Sequence, residues 1–306
     1  MSVVSQRAVA LAPSRLRPVD LLLLGYLGFV SVVALARPEV AARGWVLLAN
    51  ALIGALILLL TRKDAGWFGP ALREVYPLLL LIPLYGTLDL LSGFGSVAVH
   101  DATVQAWEAA LFGGQPSREW WRTAPSPFWS TILHGAYFTY YAILIVPALV
   151  LFARGRLAEL RGLMLSLMAT FVFCYVWFIL FPVAGPYYEF PRPTGEFVNN
   201  PMARLVYTTL ATGSSYGAAF PSSHVAASVA ATIAAWRVSP RLGVGVAIPT
   251  VLLTIGVVYC QMHYAVDAVA GLVVGVGVTS YALRVSKVHQ AKRPHQTVEP
   301  RATRNG

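Results

Sequence analysis

The stretch GLMLSLMATFVFCYVWFILFPV, residues 162–183, runs for 22 positions without an Asp, Glu, Lys, Arg or His. About 20 helical residues cross the ~30 Å hydrocarbon core of a bilayer, so this segment reads as a membrane span. Working outward, apolar runs of similar length occur at 19–36, 44–61, 75–93, 128–153, 219–238, 242–262 and 264–284, eight in all with this one. The third is the weakest, because Pro83 interrupts it and Asp89 lies near its end. Proline is tolerated in membrane helices where neighbours satisfy the freed carbonyl, so the predicted count is six to eight. Composition agrees: 57% hydrophobic and 12% charged over 306 residues, against about 45–50% and about 25% in soluble domains. The predicted fold class is all-α, a polytopic transmembrane helical bundle.

A net charge of +10 raises nucleic acid as a partner. The Lys and Arg residues fall in short clusters between apolar runs and in the C-terminal tail, with no continuous basic face and no aromatic RNA-binding signature, so no nucleic acid is expected. Two cysteines, Cys174 and Cys260, make neither a disulfide framework nor a four-ligand zinc site.

The basic residues set the orientation. With the N-terminus inside, seventeen of the 23 Lys and Arg fall in inside segments, among them Arg15, Arg17, Arg62, Lys63, Arg154, Arg156, Arg161, Arg237 and the tail from Arg284 onward. The other six, Arg37, Arg43, Arg118, Arg122, Arg192 and Arg204, fall outside. The positive-inside rule therefore predicts both termini in the cytoplasm. The first run also resembles a signal peptide ending at Ala34-Leu35-Ala36, but its apolar core of about 18 residues exceeds the usual 7–15.

Two stretches are not predicted to cross. In residues 94–127 the amphipathic piece from Val104 to Phe112, followed by Gly113-Gly114 and Trp120-Trp121, favours a helix lying at the outer interface. Residues 184–220, rich in Pro, Gly, Tyr and Ser, form a second external segment. The tail from about Ser286 is polar and basic, with disorder expected near an anionic leaflet. Three parts result: N-terminal spans over 1–93, a catalytic transmembrane unit over 94–284, and a basic cytoplasmic tail over 285–306.

Ionisable residues at membrane depth are costly and count as functional-site candidates. On this topology His224, His263 and Asp267 lie at one depth near the outer face. In His263-Tyr264-Ala265-Val266-Asp267 the carboxylate follows the histidine by one helical turn. Such a carboxylate fixes the tautomer of the imidazole and leaves its other nitrogen basic; the same spacing also occurs in a pair that only satisfies two polar groups in a packed bundle. Pro221-Ser222-Ser223-His224 reads as an extended segment capped into a helix, whose free amides, with the hydroxyls of Ser222 and Ser223, suit a phosphate; an ordinary capped helix has the same pattern. Arg192 offers a bidentate phosphate contact or is a surface arginine. His134, Tyr137 and Tyr141 stand at helical spacing on one face, either for a polar headgroup or as interfacial packing.

Together these residues carry a resemblance. Phe220-Pro221-Ser222-Ser223-His224, then His263-Tyr264 with Asp267 and Gly271, resemble the second and third signatures of the type 2 phosphatidic acid phosphatase (PAP2) superfamily. Asp101, Trp107-Glu108, Leu111-Phe112-Gly113, the run from Tyr137 to Tyr141 and Phe181-Pro182-Val183-Ala184-Gly185-Pro186 look most like its bacterial branch related to inositol phosphorylceramide synthases. The resemblance covers about residues 95–285. It implies a helical catalytic core in the bacterial inner membrane, with a membrane lipid as substrate and no metal or cofactor. His263 is then the nucleophile on phosphorus, Asp267 its orienting partner, and His224 the donor of a proton to the departing alcohol; water or a second alcohol resolves the phosphohistidine.

The pattern departs from the phosphatase branch at two places. That branch carries a Lys seven positions before an Arg-Pro pair, where this chain has Gly185 before Arg192-Pro193, and Ser-Arg before the last His signature, where this chain has Gly256-Val257. Two phosphate-binding cations are thus missing, which favours headgroup transfer over plain hydrolysis and leaves Arg192 or Arg204 as substitutes. A lipid transporter is disfavoured, since it carries charges near the midplane and internal repeats. A haloperoxidase is disfavoured because those relatives are soluble and their vanadate needs the absent cations.

Overall fold

The computed structural model describes residues 16–61, 69–93 and 97–291. The uncharged segment 162–183 forms most of helix α8 (Leu157–Leu180), with fourteen of its residues buried in the bundle and Phe173, Trp177 and Leu180 exposed. A helix that is apolar all round is a buried helix. Around it stand α1 (Pro18–Ala36), α2 (Arg43–Leu60), α3 (Gly69–Leu91), α6 (Pro127–Phe138) with α7 (Tyr140–Ala153), α11 (Ser223–Val238), α12 (Pro240–Tyr259) and α13 (Ala265–Ala291). Proline opens α1, α6 and α12 at the first turn, where its missing N–H costs nothing. Among the described residues the chain is helical with no strand, an all-α polytopic bundle.

Six helices, α1, α2, α3, α8, α12 and α13, are long and apolar enough to cross a membrane. The run at 128–153 is two helices, α6 and α7, bent by 44° and counted as a seventh span if taken together. The bend falls at Thr139, whose hydroxyl donates to the Ala136 carbonyl at 2.6 Å; such a bond to the preceding turn bends helices. The sixth run, 219–238, forms a helix shorter than its apolar stretch. Residues 219–222 precede the helix, and α11 has only 16 residues, ten of them buried.

Six alanines on α11 let it pack closely against α8, α12 and α13. On α13, a Cβ at Gly271 would lie 2.7 Å from the Ser222 carbonyl, and one at Gly275 would lie 2.7 Å from the Ala226 carbonyl. Gly271→Ala is therefore expected to push the start of α11 away from α13, at about 1–3 kcal/mol of overpacking, and to lower turnover more than its stability alone accounts for. Gly277→Ala, with nothing within 4 Å of its added methyl, is the control. Thermal unfolding in detergent beside turnover checks the pair, and equal behaviour of the two variants would sink the expectation.

The two ends of the bundle differ. At one end Glu74 receives Arg17 at 2.7 Å and Arg161 at 2.6 Å, while Asp20 receives Arg73 and Tyr76. At the other lie the segments between the helices: α4 (Asp101–Phe112), α5 (Pro116–Thr123), α9 (Pro186–Glu189), a 3-10 turn at Gly195–Phe197 and α10 (Pro201–Gly213). Both α4 and α5 fall within 94–127, where one surface helix is expected. Helix α10 emerges from 184–220, opened by Asn200, whose side chain accepts from the Ala203 amide at 2.9 Å. The tail departs from expectation: α13 continues as helix through Ala291 with Ser286 buried against its neighbours, so residues 286–291 are ordered helix. Residues 292–306, with Arg7, Arg15, Arg62 and Lys63, lie outside the described residues.

Candidate active site

Three turns meet at the second end. Residues 182–185 follow α8, residues 217–222 lead into α11, and residues 260–264 join α12 to α13. Val183 and Ala218 form a parallel bridge, with the Val183 amide donating to Gly217 at 3.1 Å and the Ala219 amide to Val183 at 2.9 Å. The Ser222 amide donates to the Asp267 carbonyl at 3.0 Å, tying the start of α11 to the start of α13. The Val257 carbonyl accepts from the amides of Met262 and His263, closing the last turn.

Asp267 lies in the first turn of α13 and His263 just before it. The carboxylate is fully buried. Its Oδ2 accepts from the Tyr264 amide at 2.8 Å, the return half of a capping box, and meets His263 Nδ1 at 3.3 Å. Asp267 therefore fixes the helix start and the imidazole with one oxygen. With Nδ1 facing Asp267, Nε2 is the nitrogen left for chemistry. Oδ1 of Asp267 has no protein partner.

His224 is the second residue of α11. Ser222 caps that helix by accepting from the Val225 amide at 3.4 Å, and Ser223, also buried, is its first residue. The His224 ring lies with its centroid 5.7 Å from that of His263, 4.9 Å from Tyr137 and 4.5 Å from Tyr140. Its Nε2 is 3.2 Å from the Tyr137 hydroxyl, and its Nδ1 is buried without a partner. The two imidazoles thus lie side by side at this end of the bundle.

The other expected residues divide. Tyr137 joins the site, but Tyr141 does not: the bend at Thr139 turns it outward, half exposed against Phe138 and Tyr140, and Tyr140 takes the place beside His224. His134 is buried one turn before Tyr137, where its Nδ1 meets the Ser130 carbonyl at 2.8 Å and Cys260 Sγ at 3.4 Å, and its ring faces Phe197 and Tyr207. Arg192 is exposed, its guanidinium 4.2 Å from the centre of the Tyr187 ring. Arg204 is paired with Asn199 on the surface of α10. Among the described residues no three His, Cys, Asp or Glu side chains are grouped to hold a metal ion.

Packing accounts for the two positions that lack cations. Gly185 has φ +93°, and a Cβ there would come 2.8 Å from that of Ala219, so a long side chain has no room. Gly256 lies against α6, where a Cβ would approach the Leu133 carbonyl to 2.8 Å, and Val257 is fully buried. Apolar contact between helices fills the space that a Ser-Arg pair would need.

Residues absent from the sequence-based set also touch these turns. Gln261 accepts from Trp121 Nε1 at 2.8 Å and Arg122 at 3.3 Å and donates to the Pro191 carbonyl at 3.1 Å. Asp101 and Glu108 of α4 reach the turns at 184–185 and 264–265. Burial pushes the Glu108 carboxyl above the usual range, partly offset by the Ala265 amide and Ser117. The signal for these carboxylates was their charge in an amphipathic interfacial helix, but, Ser117 apart, their partners lie more than 80 residues away.

A family model described as the PAP2 superfamily matches residues 102–281, which takes in α4 through most of α13 and every residue named at the two histidines. No curated protein and no solved structure shows a significant match to the chain. The match extends over more than half of the chain, which thus belongs to the PAP2 superfamily, whose members are in general phosphatases.

Proposed function

We propose that this protein is a membrane lipid phosphotransferase or phosphatase that moves a phospho-headgroup through a phosphohistidine at the extracytoplasmic face. The observation that carries the proposal is the pair of imidazoles 5.7 Å apart, one buttressed by Asp267 and the other held between Tyr137 and Tyr140. Nε2 of His263 attacks the phosphorus of the lipid, the bond from phosphorus to the alcohol oxygen breaks, and protonated His224 gives that oxygen its proton. An acceptor hydroxyl then attacks the phosphohistidine while His224 takes the acceptor's proton, and the P–N bond breaks. Each displacement is easier than a direct one, because the poor leaving alkoxide is protonated as it departs. Ser222 and Ser223 at the start of α11 serve the phosphate oxygens, with the Tyr137 hydroxyl beside His224. The close packing at Gly185 and Gly256 favours transfer to an alcohol over hydrolysis, since the cations of the phosphatase branch have no space there.

The orientation rests on charge. Arg17, Arg73, Arg156 and Arg161 all lie at the end away from the histidines, so the positive-inside rule puts that end, and both termini, in the cytoplasm of a bacterial inner membrane. The decisive assay incubates purified protein with labelled phospholipids, with and without added polyols, and separates free phosphate from headgroup-transfer product. Transfer product is expected with a polyol present; neither product from any phospholipid would overturn the proposal. In intact cells an impermeant thiol reagent is expected to label Thr194→Cys, on the exposed 190s segment, and not Arg154→Cys, at the charged end. Both native cysteines are buried and give little background.

A further inference from the structure

Helix α4 carries three polar side chains at i, i+4 and i+7, Asp101, Gln105 and Glu108, spacing that puts them on one face. All three engage the turns that form the site. Asp101, 3% exposed, accepts from the Ala184 amide at 2.7 Å, the Gly185 amide at 2.8 Å and the Tyr264 hydroxyl at 2.9 Å. Gln105 Nε2 donates to that same hydroxyl at 3.0 Å. Glu108, fully buried, accepts from the Ala265 amide at 2.7 Å and from Ser117. The contact continues at the start of α4, where the His100 amide donates to the Pro182 carbonyl at 2.8 Å. It continues through Trp107 as well, whose ring stacks on Phe181 and tilts against Phe220. Among the described residues neither carboxyl has an ion-pair partner. Ser117 apart, the donors to their buried oxygens are in place only when both turns are.

We propose that α4 is a clamp setting the register of the nucleophile: Asp101, acting through Tyr264 and the amides of Ala184 and Gly185, and Glu108, acting through the Ala265 amide, are positioning residues. They hold His263 at the distance from His224 that phosphoryl transfer needs. The assignment rests on the nucleophilic role given to His263 above. Neither carboxyl touches the imidazoles, so their effect is on geometry. The same helix presents Trp107, Leu111 and Phe112 outward, so the body that anchors in the leaflet and the body that holds the catalytic turn are one.

The test compares wild type with Asp101→Asn, which replaces an acceptor of three donors by a group carrying its own N–H2. Turnover of a lipid phosphate in mixed micelles, hydrogen exchange by mass spectrometry and thermal unfolding are measured on each. A misplacement of about 1 Å costs on the order of 100-fold, so kcat is expected to fall about 10- to 100-fold with KM changed less than about threefold. Exchange is expected to quicken in peptides spanning 182–188 and 263–268 and to stay unchanged in α8 and α12. Tyr264→Phe, which removes one hydroxyl, should move the same quantities by less and carries the test should Asp101→Asn not fold. An unchanged kcat, a loss borne by KM, or faster exchange spread through the bundle would overturn the clamp. If wild type neither turns over any phosphate ester nor forms a phosphoenzyme, the catalytic proposal fails by itself. Exchange then decides the clamp: quickening confined to the two turns keeps it, and no change removes it.

Discussion

His263→Ala is expected to abolish the phosphoenzyme, while His224→Ala still forms it from an activated substrate. His263 is the imidazole whose Nδ1 meets a buried carboxylate, and on the proposed mechanism its Nε2 attacks. Without the ring, no neighbouring group replaces it: Tyr137 and Tyr140 are phenols, and His224 has no carboxylate behind it. In His224→Ala the nucleophile is intact and only the proton for the leaving oxygen is lost. A lipid alkoxide then leaves poorly, whereas an aryl oxide leaves without help, so general-acid loss of typically 10²–10⁴-fold should shrink towards nothing on an aryl phosphate. Rapid alkaline quench preserves an acid-labile phosphoramidate, and radiolabel retained in each variant is the measurement. Label in His263→Ala together with none in His224→Ala would exchange the two roles.

Asp267→Asn should cost on the order of 10⁴ in kcat, the loss seen when a triad aspartate becomes asparagine and the histidine takes the wrong tautomer. Oδ2 of Asp267 serves two donors, the Tyr264 amide and His263 Nδ1. An asparagine with its carbonyl in the place of Oδ2 still accepts from the Tyr264 amide, which secures the helix start, but faces Nδ1 without the negative charge that steadies an imidazolium. With its N–H2 there instead, the imidazole must accept at Nδ1 and carry its proton on Nε2, the nitrogen expected to attack. The fold survives and the nucleophile does not, so unfolding temperature should change little. Steady-state turnover beside phosphoenzyme yield checks this; activity within tenfold of wild type would reduce Asp267 to a helix cap.

Much of this was legible in the sequence because membrane spans and i, i+4 pairs are local. Residues 162–183 announce α8 by the absence of charge, and the five residues from His263 to Asp267 contain a whole contact. Pro221-Ser222 likewise marks the start of α11 through its cap. What was hidden depends on geometry that spacing does not carry. Tyr140 and not Tyr141 reaches His224 because a threonine hydroxyl bends the helix between α6 and α7. The end of α13 ran past its apolar stretch because Ser286 packs inside the bundle at the charged end. Asp101 meets Tyr264 across 163 positions, a pairing with no periodicity behind it. The glycines that exclude cations from positions 185 and 256 were visible as residues, and their tightness was not.

The 16 residues of α11 rise only about 24 Å at 1.5 Å each, short of the ~30 Å hydrocarbon thickness. Its lower end is level with the start of α8, where Arg156 donates to the Val238 carbonyl, so on the proposed orientation His224 at its upper end is expected beneath the plane of the lipid headgroups. On that reading a lipid phosphate at its resting level does not meet the histidines. Either the lipid sinks on its acyl chains beside the bundle, or the leaflet dimples to lower it, and both adjustments carry a modest cost that grows with mismatch. On the proposed reaction, turnover is therefore expected to vary with bilayer thickness, through the length of one alanine-rich helix.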